Sequence, residues 1–238
     1  MAGREDWYRN ENWSPEIEKQ FNEKLKRTRS QGPQYLCIQA NILAKTEPRV
    51  ALRLLERYFA RGDEFDMPRA FGAQADTFQA LNLFEEAIQS YKSALTWEQT
   101  HHSMMTNAYL DLPFLIASRK LSKHYDLAME LLFSPNYEPL QRGEQRRNYI
   151  LMFPIHVFMH AYALALIHHD RGNRPKAIEQ AARALASAKI SESPFPRHRG
   201  VGLVSDRFKS EIETLRQITH ATWTDKLKRC FKPPTPPE

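Results

Sequence analysis

Apolar positions recur every three to four residues along most of the chain, the signature of helices that each bury one face. Ser14-Pro15-Glu16 opens the first predicted helix with a capping hydroxyl, a proline at the first helical position and an early acid. Ile17, Phe21 and Leu25 follow at four-residue steps. Gly32-Pro33 ends that helix and starts another carrying Tyr35, Leu36, Ile38, Ile42 and Leu43. Thr46-Glu47-Pro48 reads as a turn, with Val50, Leu54, Leu55 and Phe59 on the helix beyond it. Gly62-Asp63 punctuates before Ala70, Phe71, Ala75 and Phe78, and Leu83-Phe84 leads into Ala87, Ile88, Tyr91, Ala94 and Leu95. The paired rhythm returns at 109–121 with 127–132 and at 157–169 with 177–188. There is no sustained apolar/polar alternation and no Asn-Gly or Asp-Gly hairpin turn, so the predicted class is all-α.

Some segments leave the pattern. Ser134-Pro135-Asn136-Tyr137-Glu138-Pro139 cannot continue a helix and reads as a surface loop. A second irregular stretch runs from Ser191 to Arg199, and a last helix starts near Ser205. Pro233-Pro234-Thr235-Pro236-Pro237 reads as an extended or disordered tail. Pro113 is expected to interrupt the helix that carries Asn107 and Asp111.

Helix pairs in succession call for a search for internal repeats. The second helix of each pair carries an alanine, a larger or small apolar residue four positions on, and another three beyond that. Ala51-Leu55-Tyr58, Ala87-Tyr91-Ala94, Ala128-Leu132-Pro135 and Ala177-Ala181-Ala184 are the four instances. The anchor alanines lie 36, 41 and 49 residues apart. Small residues let paired helices approach closely, while the larger ones wedge between neighbouring pairs. The organisation expected is a segment and capping helix over 1–31, repeats over 32–190, a loop and capping helix over 191–232, and the tail over 233–238.

In these positions the chain resembles the tetratricopeptide repeat family. Phe71, Ala75, Phe78, Phe84, Ala87, Tyr91 and Ala94 reproduce its large-small-large alternation, and Leu164, Ala165, Gly172, Ala177 and Ala184 make a second match. The repeats at 32–60 and 109–135 are degenerate, with Thr46 at the turn and Pro135 where a small helical residue belongs. The chain as a whole is also similar to bacterial tetratricopeptide-like proteins with a Trp-rich N-terminus. The resemblance implies antiparallel helix pairs stacked as an α-solenoid, capped at both ends, whose first helices line a concave groove. Carried over position by position, the groove would be lined by Arg69, Asp76, Gln79, Lys120, Tyr162, His169 and Asp170, beside an apolar wall of Leu36, Ala40 and Leu43. Chaperone-binding members clamp a peptide's terminal carboxylate with Lys and Asn, where this chain has Gly72 and Asp76, so that specificity is not expected.

Composition narrows the function classes. The chain has 238 residues, 42% of them hydrophobic, and only Gly 8, which leaves little material for a glycine-rich phosphate loop. No stretch reaches the roughly 18 consecutive apolar residues of a membrane span. The segment from Ile150 to Ile167 is broken by His156 and His160. The first residues are charged rather than signal-like, so the cytoplasm is the expected location. Two cysteines, Cys37 and Cys230, make no disulfide framework. Lys+Arg 34 against Asp+Glu 28 gives a net charge of +6, spread over clusters at 24–29, 142–147 and 226–232. Those clusters could meet a polyanion, but no nucleic-acid module accompanies them.

A search for chemistry returns little. His156 and His160 have the four-residue spacing of a helical metal pair, but Val157 stands where a zinc protease has its general base. Adjacent His101 and His102 diverge by about 100° on a helix and cannot readily share an ion. Cys37 in an apolar stretch has nothing to activate it, and Gly200-Val201-Gly202-Leu203-Val204-Ser205 makes neither a dinucleotide fingerprint nor a nucleophile elbow. No catalytic residue, metal or cofactor is expected. The function expected is non-enzymatic binding of a protein or peptide in the groove. Occlusion of a toxin by an immunity protein, or binding of a nucleic acid through the basic clusters, are the alternatives. The partner and the oligomeric state are left open.

Overall fold

Prolines in the first turn mark the start of six helices. In the computed structural model, which describes residues 6–62, 64–101, 104–133, 153–195 and 197–230 (the last ten for their backbone alone), there are ten α-helices and no strand among the described residues. They are α1 (Pro15–Lys26), α2 (Gly32–Leu43), α3 (Pro48–Phe59), α4 (Met67–Ala80), α5 (Phe84–Thr100), α6 (Ala108–Ser118), α7 (Tyr125–Phe133), α8 (Pro154–Asp170), α9 (Arg174–Ala188) and α10 (Lys209–Cys230). Short 3-10 turns at Ser122–His124 and Asp206–Phe208 lead into α7 and α10. Every regular element among the described residues is helical.

Local signals explain the starts. Ser14 caps α1 by accepting a hydrogen bond from the Ile17 amide at 3.3 Å, with Pro15 at the first helical position. Prolines occupy the first position of α3 and α8 and the second of α2, α4 and α9, where a missing N–H costs nothing. Pro113 departs from the expectation. It lies inside α6 and does not end it. The lost backbone hydrogen bond is offset by burial of Leu110, Leu112, Leu115 and Ile116, none more than 2% exposed. The loop expected at 134–139 and the tail at 233–237 lie outside the described residues.

The chain divides into two compact units, Met1–Ala108 and Tyr109–Glu238, a division that falls inside the 32–190 span. In the first unit α2 packs on α3, α3 on α4 and α4 on α5, while α2 also touches α4 and α1 rests on α2. Its main core runs from Phe21 and Leu25 through Leu36, Ala40, Leu43, Ala51, Leu55 and Tyr58 to Ala70 and Ala73. In the second unit α8 packs on α9, and α10 covers both.

The four anchor series fall where their spacing demands. Ala51, Ala87, Ala128 and Ala177 are all 0% exposed, and Leu55, Tyr91 and Ala181 behind three of them are buried as well. Tyr58, Ala94 and Ala184 complete those series at 0%, Leu132 is half-buried, and Pro135 lies outside the described residues. The helices before three of these anchors end alike. Asn82, Lys120 and Gly172 have φ of 59°, 51° and 74°, and the next residue's amide returns to the carbonyl of Phe78, Ile116 and His168 respectively. This is the left-handed closure that satisfies the last carbonyls of a helix and reverses the chain.

Candidate functional site

On α4, residues 69, 72, 76 and 79 fall at three- and four-residue steps and so form one stripe along the helix. The sides flanking the stripe are committed to the core through Ala70, Ala73, Ala75 and Thr77. Arg69, at the head of the stripe, is exposed and reaches back to Asp66, whose side chain is 3% exposed, with an N–O distance of 3.1 Å. Asp76 and Gln79 are drawn together by Tyr91 of α5. The tyrosine hydroxyl donates to Asp76 Oδ1 at 2.9 Å, and the Gln79 amide donates to that hydroxyl at 2.9 Å and to the same carboxylate oxygen at 3.3 Å. Both side chains are therefore held in fixed rotamers by a third, buried one. Asp76 Oδ2 takes no hydrogen bond among the described residues.

Gly72 sits in the middle of this stripe, half-buried, and a Cβ built on it would meet nothing within 4 Å. The glycine leaves a notch between Arg69 and Asp76 where another backbone can approach the helix closely. Around the helix, Gln74 and Phe78 join Glu86, Gln89, Ser90 and Ser93 of α5 in an open depression of about 460 Å³, separate from the stripe.

The groove residues expected in the second unit have different surroundings. Lys120 is exposed, at the left-handed residue that closes α6. Asp170, at the last position of α8, accepts a hydrogen bond from the Tyr125 hydroxyl at 2.5 Å. Burial and that bond push the Tyr125 phenol well above the usual range. Arg171 meets Asp126 at 2.5 Å and lies 5.9 Å from the Tyr125 ring, so the group ties α7 to the end of α8. His169 beside it is exposed. Tyr162 is 4% exposed, its ring tilted against Phe114 at 4.9 Å and stacked on Phe158 at 6.0 Å. Its phenol is pushed up to about 12, first by burial and then by the Glu211 carboxylate. The expected apolar wall of Leu36, Ala40 and Leu43 is 0% exposed throughout and belongs to the core of the first unit.

Of the seven residues expected to line a groove, Arg69, Asp76 and Gln79 are brought together on one helix face. Lys120 and His169 stand in solvent, Asp170 is engaged with Tyr125, and Tyr162 packs in the interior. Sequence reasoning missed Tyr91 as the organiser of the stripe, although the aromatic in the second anchor series marked its place. It also missed Asp66, whose burial nothing in the local pattern signals.

Among the described residues the histidine pair belongs to no larger cluster of metal-ligating side chains. His160 Nε2 lies 3.2 Å from the Leu132 carbonyl, Nδ1 is buried without a hydrogen bond among the described residues, and burial pulls the imidazole's pKa down. Among the described residues no group of three or more His, Cys, Asp or Glu side chains is placed to hold a metal ion, and no helix is long and apolar enough to cross a membrane. No protein-family model, no curated protein and no solved structure matches this chain.

Proposed function

We propose that the chain is a non-enzymatic scaffold of antiparallel helix pairs, stacked in the manner of tetratricopeptide repeats, that binds a protein or peptide partner along the polar stripe of α4. One observation carries the reading: α4 buries Pro68, Ala70, Ala73, Ala75 and Thr77 and leaves Arg69, Gly72, Asp76 and Gln79 along one stripe, with an open notch at the glycine. A structural helix gains nothing from a glycine at its centre, which costs about 0.5–1 kcal/mol relative to alanine. A binding helix gains close approach of a partner's backbone. Arg69, Asp76 and Gln79 then offer donors and acceptors on either side of it, pre-set by Asp66 and Tyr91, so that little side-chain entropy is lost on association. The buried alanine series and the three matching helix ends support the repeat architecture.

The test separates binding from folding by moving them in opposite directions. Gly72→Gln fills the notch with a better helix former, so the variant should unfold at a higher temperature than the wild type. Chemical cross-linking in cells that express the chain, read by mass spectrometry, should recover a partner with the wild type and lose it with Gly72→Gln. Recovery of the same partner by both proteins would overturn the role of the stripe. Charge reversal at Arg69 is the poorer probe, because it places an acid beside the buried Asp66.

A further inference from the structure

A second seat, on α1 and α2, already holds a peptide: the chain's own residues 7–10. Gln39 of α2 is 0% exposed, yet both ends of its amide are spoken for by Asn10. Its Oε1 accepts from the Asn10 main-chain amide at 2.9 Å and from the Asn10 side chain at 2.9 Å, and its Nε2 donates to the Asn10 carbonyl at 2.7 Å. Two of the three bonds read main chain, which any residue but proline can present, and the third reads the Asn10 side-chain amide. Aromatic rings supply the rest. Trp7 lies against Phe21 and Tyr35 with centroids 5.3 and 5.0 Å apart, and Tyr8 stacks on Tyr35 at 4.4 Å. A turn closed by the Arg9 amide on the Asp6 carbonyl at 2.8 Å sets the spacing between the rings and Asn10.

The segment leaves part of the seat open. Trp7 and Tyr8 are half-buried, and a pocket of about 390 Å³ remains between the segment and α1, lined by Asp6, Trp7, Asn10, Ile17, Gln20 and Lys24 among others. A buried amide whose partners among the described residues lie on one short, partly exposed segment is costly to strip, so whatever lifts that segment away must offer the same main-chain pair.

We infer that the Gln39 seat is an exchangeable peptide-binding site, filled in cis by residues 7–10. It would take from a partner a turn-forming segment with an aromatic side chain three residues before the residue that Gln39 grips. The cis segment acts as a tethered competitor at an effective concentration on the order of millimolar, so a trans ligand binds the wild type weakly and a strap-weakened variant well. This inference is independent of the α4 stripe.

The probe is a fluorescein-labelled synthetic peptide of residues 6–13, followed by fluorescence anisotropy on the full chain. Trp7→Ala/Tyr8→Ala in the protein is expected to raise its affinity for the peptide at least about tenfold over the wild type. Adding Gln39→Leu should cut that affinity by about tenfold or more, and Gly72→Gln should leave it unchanged. A helical double variant that binds no peptide, or binding indifferent to Gln39→Leu, overturns the inference. Should the double variant fail to fold, hydrogen exchange on the wild type decides. Opening of the Asn10 amide well below the global limit supports an exchangeable segment, and protection equal to that of the α2 core overturns it.

Discussion

The α4–α5 and α8–α9 pairs follow one plan and use it oppositely. Each first helix closes on a left-handed residue, Asn82 or Gly172, and each second helix carries a buried alanine five residues later, Ala87 or Ala177. Yet α8 is buried without a break from Ala161 to Ile167, whereas α4 alternates buried and half-buried positions around its circumference. The reason lies in the neighbours. A helix that is apolar all round must be covered all round, and α8 has α9, α10 and α7 against it. The sequence of α4 keeps Arg69, Asp76 and Gln79 on one side and so cannot be enclosed at low cost. Similar hairpins thus yield a core element in one unit and a candidate recognition surface in the other.

The largest test of that contrast is truncation of one ring in each first helix. Phe158 is 0% exposed in α8, and Phe158→Ala should cost about 3–5 kcal/mol in chemical denaturation. Phe78 of α4 is half-buried, and Phe78→Ala should cost about 1 kcal/mol. Equal losses would mean that α4 is enclosed as α8 is.

The shared turn gives a smaller effect. Gly172→Ala, at φ 74°, should lose about 1–2 kcal/mol. Lys120→Gly, at φ 51°, should gain up to about 1 kcal/mol because the present residue already bears that strain. A stabilised Gly172→Ala protein would show that the left-handed closure does not hold these ends.

The smallest effect concerns the second helices, four residues beyond Ala94 and Ala184. There α9 has Ala188, but α5 has Glu98, which is 4% exposed and accepts from the Thr106 amide at 2.8 Å and hydroxyl at 2.5 Å. Burial raises its pKa above the ordinary 4.5, against the pull of the Thr106 bonds, and Oε2 is buried with no partner among the described residues. Because the folded pKa is the higher one, the stabilising contribution is fully present below 4.5 and is lost as pH rises through the folded value. Glu98→Gln should therefore gain on the wild type as pH rises from about 4.5 toward neutrality, in melts taken across that range. A constant difference would refute the assignment.

Helix starts were legible because their causes are local. Ser14 with Pro15, Gly32 with Pro33, and Pro48 act on groups within one turn of themselves. Pro113 misled because its cost is also local, while the burial that outweighs it comes from the packing of the whole unit. The polar stripe was half legible: periodicity placed Arg69, Asp76 and Gln79 on one face, but Tyr91 reaches Asp76 across 15 residues and Tyr125 reaches Asp170 across 45. Gln39 is held by Asn10, 29 positions away, a contact that no local pattern signals.

By itself the sequence determined an all-helical chain, the places where most helices begin, and the alanine series that let them pack closely, since each depends on propensity, capping or periodicity within a few residues. Tertiary structure alone decided which polar side chains are held in networks, which apolar ones are sealed in, and which helix keeps an open face. Those outcomes depend on what packs against each helix, and packing partners are chosen by the whole unit and not by the local pattern.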